Sequence, residues 1–270
     1  MGDVWATVAD ASEETQTLLA DAMEKRSEDP VLTQLRDRYL SWLPKMPGGT
    51  VIEMGCGPGD VTSALLKATN AATAIGVDPS PVMIKRAAKR HAHEPALTFC
   101  VGDARATTLT PASADLILFH TTLCHIPQPE QALAEVMRLL KPGGTLAIFD
   151  GDYATTTAAL GPQDPIDGVI QHAMHSLVHD LYFCRSLPRR IADAGLTLSR
   201  LEILPYRASG NAAFFLSLFT RGLHFLQEAR NISENSAQSL LQELNTRIRD
   251  GRFFGFCSFH VAIAHKPEAP

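Results

Sequence analysis

Apolar positions in residues 10–43 recur at helical spacing. Leu18, Leu19, Ala22 and Met23 share one face, and Leu32, Leu35, Tyr39, Leu40 and Leu43 share another. The pattern predicts a helical lead-in that closes in the loop "PKMPGG" at 44–49. Beyond it, short apolar runs and amphipathic stretches alternate. The runs at 50–54, 73–77, 97–101, 115–119 and 145–150 predict buried strands, and 60–69, 80–91 and 129–140 predict helices. The last of these helices stops at "KPGG", with Lys141 at its end and glycines after it. Strands alternating with helices predict an α/β chain with a parallel, doubly wound sheet.

After Asp150 the rhythm changes. Helical patterns at 166–183, 186–194, 211–230 and 234–250 are interleaved with strand patterns at 197–206 and 253–266. The expected division is an N-terminal helical cap (1–47), a core holding five strands (48–152), and the rest of the sheet with helical lid insertions (153–270).

Composition narrows the function classes. The chain has 270 residues, 45% hydrophobic and 20% charged, which suits a globular core with a cover. A net charge of −5 argues against a general nucleic-acid binder. The basic stretch "IKRAAKR" at 84–90 reads better as a solvated helix face than as a binding patch. The start, "MGDVWATVAD", carries no apolar leader, and Ala6 stands where a myristoylation pattern needs Ser or Thr. No apolar run is long enough to span a bilayer. Cys56, Cys100, Cys124, Cys184 and Cys257 form no C-x-x-C pair, so neither a disulfide framework nor a zinc site is expected. The expected compartment is the cytoplasm, with no membrane partner and the chain a monomer or homodimer.

The candidate chemistry begins at "VIEMGCGPGDVTSALL", from Val51 to Leu66. Gly55, Gly57 and Gly59 follow a strand pattern and open a helical one, where a backbone turns tightly around a ligand. A dinucleotide fingerprint would read G-x-G-x-x-G. Here Asp60 holds the place of its third glycine, and an acid at a helix N-terminus repels a pyrophosphate. There is no G-K-[ST] either. Flanked by Glu53 and Asp60, the loop suits a ligand with a cationic end. Asp78 follows the second strand, where a carboxylate accepts from a ribose diol, and Asp103 follows the third, within reach of an exocyclic amine. Met83 and the apolar part of "DPSPVM" offer packing for a base. Each acid alone is more often a cap or loop carboxylate. Three of them at three consecutive strands, after one glycine loop, point to a nucleoside site.

In these motifs the chain resembles the class I S-adenosylmethionine-dependent methyltransferases, in their small-molecule branch with the ubiquinone and menaquinone enzymes. "VIEMGCGPG" is similar to the family's E-x-G-x-G-x-G, "GVDPS" to its ribose-binding acid, and "VGDA" to its adenine-contacting acid. "HIPQ" replaces the family's common H-x-P-D, with Gln128 in place of the acid. The resemblance covers about residues 48–152. It implies a Rossmann-like, mostly parallel seven-stranded sheet with helical covers. It implies S-adenosylmethionine as cofactor and S-adenosylhomocysteine as product, held by Glu53, Gly55, Gly57, Gly59, Asp78, Pro79, Met83, Asp103, Ala104 and His120. It also implies methyl transfer to O, N or C of a small, hydrophobic or aromatic acceptor.

Methyl transfer mainly requires alignment, and some acceptors also require a base. His120 and His125 follow the fourth strand, and Asp152 and Tyr153 follow the predicted fifth, so these four are the catalytic candidates. For His125, ordering of its own loop is an equal expectation. Asp150 is expected to cap a turn. His172, His175 and His179 are spaced for one helix face, with no clear acid partner, and no metal is expected. The stripe Phe214, Phe215, Leu218, Phe219, Leu223 and Phe225 reads first as core and second as a lid or dimer contact. Trp5 and the N-terminal helices are expected to close the cofactor side, by analogy with the family. Two other functions stay open: a protein or nucleic-acid methyltransferase, and a cofactor-binding protein that catalyses no methyl transfer.

Overall fold

The computed structural model describes residues 3–208 and 212–268. Two helices, α1 (Glu13–Ser27) and α2 (Pro30–Leu40), precede the sheet. Then come β1 (Thr50–Met54), α3 (Asp60–Thr69), β2 (Thr73–Asp78), α4 (Pro81–Arg90), β3 (Leu97–Val101), β4 (Ala114–His120), α5 (Pro129–Leu139) and β5 (Leu140–Thr157). The remainder is α6 (Pro165–Leu177), α7 (Leu187–Asp193), β6 (Thr197–Ala208), α8 (Ala213–Glu228), α9 (Glu234–Arg249) and β7 (Gly255–His265).

The seven strands lie in the order β3-β2-β1-β4-β5-β7-β6. β1 to β5 pair in parallel, and β7 enters antiparallel between β5 and β6. The chain winds outward from β1 to β3 and returns to β4, so strand order reverses between β1 and β4. Open α/β sheets bind ligands at the carboxyl ends of the strands at such a point. Residues such as Val51, Ile52, Leu116, Ile117 and Leu118 are fully buried because helices cover both faces.

The predicted elements form with shifted ends. The lead-in divides into α1 and α2 at Asp29, whose carboxylate caps α2 through the amides of Val31 and Leu32. The predicted helix at 166–183 ends at Leu177. The largest departure is β5. It runs to Thr157 instead of stopping at Asp150, because β7 continues the ladder, with Asp150 opposite His260 and Asp152 opposite Ser258. Nothing local marks "GDYATTT" as strand, and only pairing with β7 carries the strand on.

The cap is fastened to the core by polar contacts. Ser80 caps α4 and donates to Gln16 Oε1 on α1 at 2.6 Å. Arg86 pairs with Asp21 at 2.6 Å, and Arg90 with Asp60 at 2.8 Å. The basic stretch at 84–90 thus places two arginines against acids of α1 and α3. The aromatic stripe of α8 is core: Phe214, Phe215, Leu218, Phe219 and Leu223 are buried and Phe225 is partly so. α8 crosses α6 so closely that a Cβ on Gly222 would stand 2.6 Å from the Val169 carbonyl. No helix among the described residues is long and apolar enough to cross a membrane.

Candidate active site

The glycine loop leaves β1 at the switch point. Gly55 N–H donates to the Val77 carbonyl at 2.7 Å, and Gly57 N–H to Asp78 Oδ2 at 2.9 Å. Gly55 and Gly57 adopt φ of +74° and +49°. A Cβ on either would lie 2.4 Å from Thr122 or from Met23, so any side chain would fill the cradle as well as strain it. Gly59 caps α3.

A cavity of about 230 Å³ opens beside Gly55. Asp78 and Pro79 line it at the end of β2, Met83 from α4, and Asp103 and Ala104 after β3. Asp78 also accepts from Ser80 N–H at 2.9 Å, and its burial raises its carboxyl to about 6. Asp103 is gripped by Arg105, whose Nη2 lies 2.6 Å from Oδ2, and this ion pair holds it below the usual carboxylate range. Residues Trp5 to Asp10 cross the opposite wall. Trp5 packs in one apolar cluster with Met83 and Met23, closing the side that the sequence assigns to the cofactor.

A smaller cavity of about 70 Å³ shares Gly55, Met23, Arg26 and His120 with the first. Glu53, Asp60 and Arg36 line it. Glu53 is 1% exposed and takes the Thr62 hydroxyl, and desolvation pushes its carboxyl up to about 8.

The two histidines differ. His120 ends β4 and lies between the cavities. It stacks on Phe149 with 4.7 Å between centroids, and its Nδ1 lies 2.8 Å from the Tyr39 hydroxyl. Burial, together with the Arg26 and Arg36 charges, drives its pKa well below the usual value, so the ring is neutral. His125 follows a tight turn in which Thr121 holds φ +53°. It lines the larger cavity, and its Nδ1 meets Asp3 Oδ2 at 2.7 Å. Asp3 also accepts from His179 N–H at 2.9 Å and from Trp5 N–H. A carboxylate on Nδ1 fixes the ring and leaves Nε2 for a substrate.

Asp152 and Tyr153 do not reach this cavity. Because β5 continues through them, Asp152 pairs opposite Ser258, and Tyr153 lies within the strand at the irregular step that follows. Asp152 pairs with Arg185 at 2.8 Å, and Tyr153 is buried against the edge of Phe259. Asp150 accepts from Cys124 and Gly151 N–H, holding the turn that carries His125. His179 lies beyond the end of α6, off the expected shared face, and His175 is exposed and bonds the Gln171 carbonyl of its own helix. Among the described residues no three His, Cys, Asp or Glu side chains converge as a metal site.

Sequence reasoning missed Asp3, Arg26 and Arg36. Arg26 lines both cavities, Arg36 lines the smaller one and Asp3 holds His125, and no local motif in the lead-in or the segment before it marks these charged residues as functional.

The family described as "Methyltransferase domain" matches residues 52–148. A ubiquinone biosynthesis O-methyltransferase of Methylococcus capsulatus is 33% identical over 64% of this chain and 73% of its own. Among solved structures, the Bacillus subtilis YcgJ protein superposes with a TM-score of 0.58 at 19% identity, covering 87% of this chain and 98% of that one. A Haemonchus contortus phosphoethanolamine N-methyltransferase 2, solved with S-adenosylhomocysteine, gives 0.52 at 17% identity, covering 83% and 50%. These two likenesses concern the fold. The chain spans about half the length of the first curated relatives it matches, 46% and 53%. The chain belongs to the class I S-adenosylmethionine-dependent methyltransferase family.

Proposed function

We propose that this chain transfers a methyl group from S-adenosylmethionine to a hydroxyl of a small-molecule acceptor, with His125 as the base. One observation carries the reading: a single cavity joins the glycine cradle and its carboxylate wall to a histidine held by a carboxylate.

The residues present fit the cofactor. The cradle has no room for a Cβ, Asp78 faces the cavity with lone pairs left for a diol, and Asp103 and Ala104 bound the base end. In the smaller cavity Glu53 and Asp60 suit an ammonium, and Arg36 suits a carboxylate. Bound there, S-adenosylmethionine supplies a methyl carbon activated by a sulfonium, which attack by an acceptor oxygen displaces as a neutral thioether. The chain's own residues orient and exclude water. Trp5 and the segment behind it close the cavity, His120 offers a neutral wall, and His125 Nε2 takes the hydroxyl proton while Asp3 holds Nδ1. Residues 1–47 serve as the cap, 48–152 as the cofactor half, and 153–270 complete the sheet and cover it.

The test is methyl-labelled S-adenosylmethionine added with the protein to an extract of small molecules, proteins and RNA, followed by fractionation. Label in the small-molecule fraction is expected. Label confined to protein or RNA would overturn the acceptor class. Binding of the cofactor without label in any fraction, over extracts from several growth conditions, would overturn methyl transfer itself.

A further inference from the structure

Most arginines shielded from solvent hold a carboxylate. Arg36, Arg86, Arg105, Arg138, Arg190 and Arg247 each have one. Among the described residues, Arg26 and Arg221 are half-buried and have none. Arg26 lies in the last turn of α1 and lines both cavities. Its Nη2 is fully buried with no hydrogen-bond partner, and its guanidinium carbon lies 5.3 Å from the centre of the Phe214 ring. Arg221 lies on α8, and its guanidinium donates only to Ser217 of the same helix, at 3.3 Å to the carbonyl and 3.1 Å to the hydroxyl.

The two cations feel one another. Burial first, and the Arg26 charge with it, lower Arg221 to about 10. The Arg26 charge also reaches Tyr153 on β5 and Tyr206 on β6. It therefore stands where the cofactor cavity meets the C-terminal half, on a wall of aromatic rings. A guanidinium donor with no acceptor in a desolvated place is costly, and so is a second cation whose charge acts on it. An anion held at Arg26 from the cavity offsets both penalties. Arg36 already serves the smaller cavity, beside Glu53 and Asp60, whereas Arg26 also lines the larger one.

We infer that Arg26, with Arg221 behind it, binds a carboxylate carried by the methyl acceptor, so that the acceptor class is a hydroxylated acid with an apolar or aromatic body. The inference rests on the methyltransferase reading for the word acceptor, and on the unpaired guanidiniums for the word carboxylate.

Calorimetry on the full chain saturated with S-adenosylhomocysteine tests it, with acetate, benzoate and cinnamate each titrated against its neutral amide. At least one carboxylate is expected to bind tenfold or more tightly than its amide. Arg26→Gln should abolish the preference, Arg26→Lys should restore part of it, and Arg221→Gln should cut it severalfold. Arg221→Gln should leave S-adenosylhomocysteine affinity within twofold of wild type, which also shows that the variant folds. No preference for any carboxylate would overturn the site. Loss of S-adenosylhomocysteine affinity in Arg221→Gln, in step with the carboxylate preference, would also overturn it, by placing both guanidiniums on the cofactor. Failure of the wild type to bind S-adenosylhomocysteine would instead sink the methyltransferase reading, and the carboxylate titration would still report on the free protein.

Discussion

The two sides of the cleft carry opposite charge. On the side of β1 to β3 the walls are acidic, with Glu53, Asp60, Asp78 and Asp103 around the glycine cradle. On the side where α1 meets α8 the wall is basic, with Arg26 lining it and Arg221 on α8 away from the lining, both lacking counter-ions among the described residues. The acidic side is built almost wholly within one stretch of chain, from β1 to just past β3. The basic side is assembled from residues nearly two hundred positions apart. A cationic cofactor and an anionic acceptor would each find a complementary wall. His125 stands at the junction, reached from the end of β4 and fixed by Asp3.

If the junction does the chemistry and the acidic side only binds, the two come apart under mutation. The largest effect is expected at His125. Replacement by Ala should lower kcat on the order of a hundred- to ten-thousand-fold, the span of a lost general base, with S-adenosylhomocysteine affinity unchanged by calorimetry. A loss of cofactor affinity instead would make His125 part of the binding wall and break the division. Gly55→Val is the converse. Its side chain would stand where Thr122 already is, and S-adenosylhomocysteine affinity should drop by about 100-fold, near 3 kcal/mol.

Asp3→Asn should lower kcat by on the order of tenfold, the worth of one charge-assisted hydrogen bond, with the cofactor affinity again intact. Asp3→Glu should restore part of the rate. Equal rates for wild type and Asp3→Asn would show that the carboxylate orders the segment without helping the base.

The smallest effect concerns stability and sets the acidic wall apart from the rest. Burial raises Glu53 to about 8 and Asp78 to about 6, both above the ordinary carboxylate values that an unfolded chain has. The folded state therefore keeps protons that the unfolded state releases. Their contribution is full below about pH 4 and is lost as pH rises, through about 6 for Asp78 and about 8 for Glu53. The ligand-free Tm should fall by a few degrees between pH 6 and 8, and Glu53→Gln should flatten that fall. A Tm that climbs over this range would mean that Glu53 is ionised in the free protein.

The same contrast explains what the sequence disclosed. The acidic side was legible because its signals are local. Glycines at fixed offsets follow a strand pattern, and acids close successive strands. The sheet was legible to the same degree, since alternation of strand and helix implies parallel winding. β5 was not, because nothing local carries the strand past Asp150 until β7 pairs with it, so Asp152 and Tyr153 read as following the strand and not as part of it. His125 was legible as a candidate, but its partner was not. Asp3 lies 122 positions away, in a short acidic segment with no motif. Arg26 looked like one more polar residue on an amphipathic helix. Only its burial against Phe214, with no acid in reach, sets it apart.

The Asp3 contact has a consequence for how the protein folds. Asp3 is separated by 122 positions from His125 and by 176 from His179. Closing so distant a contact waits on the sheet that carries those partners. The segment around Asp3 is then among the last to find its place, and His125 lacks its carboxylate partner until it does.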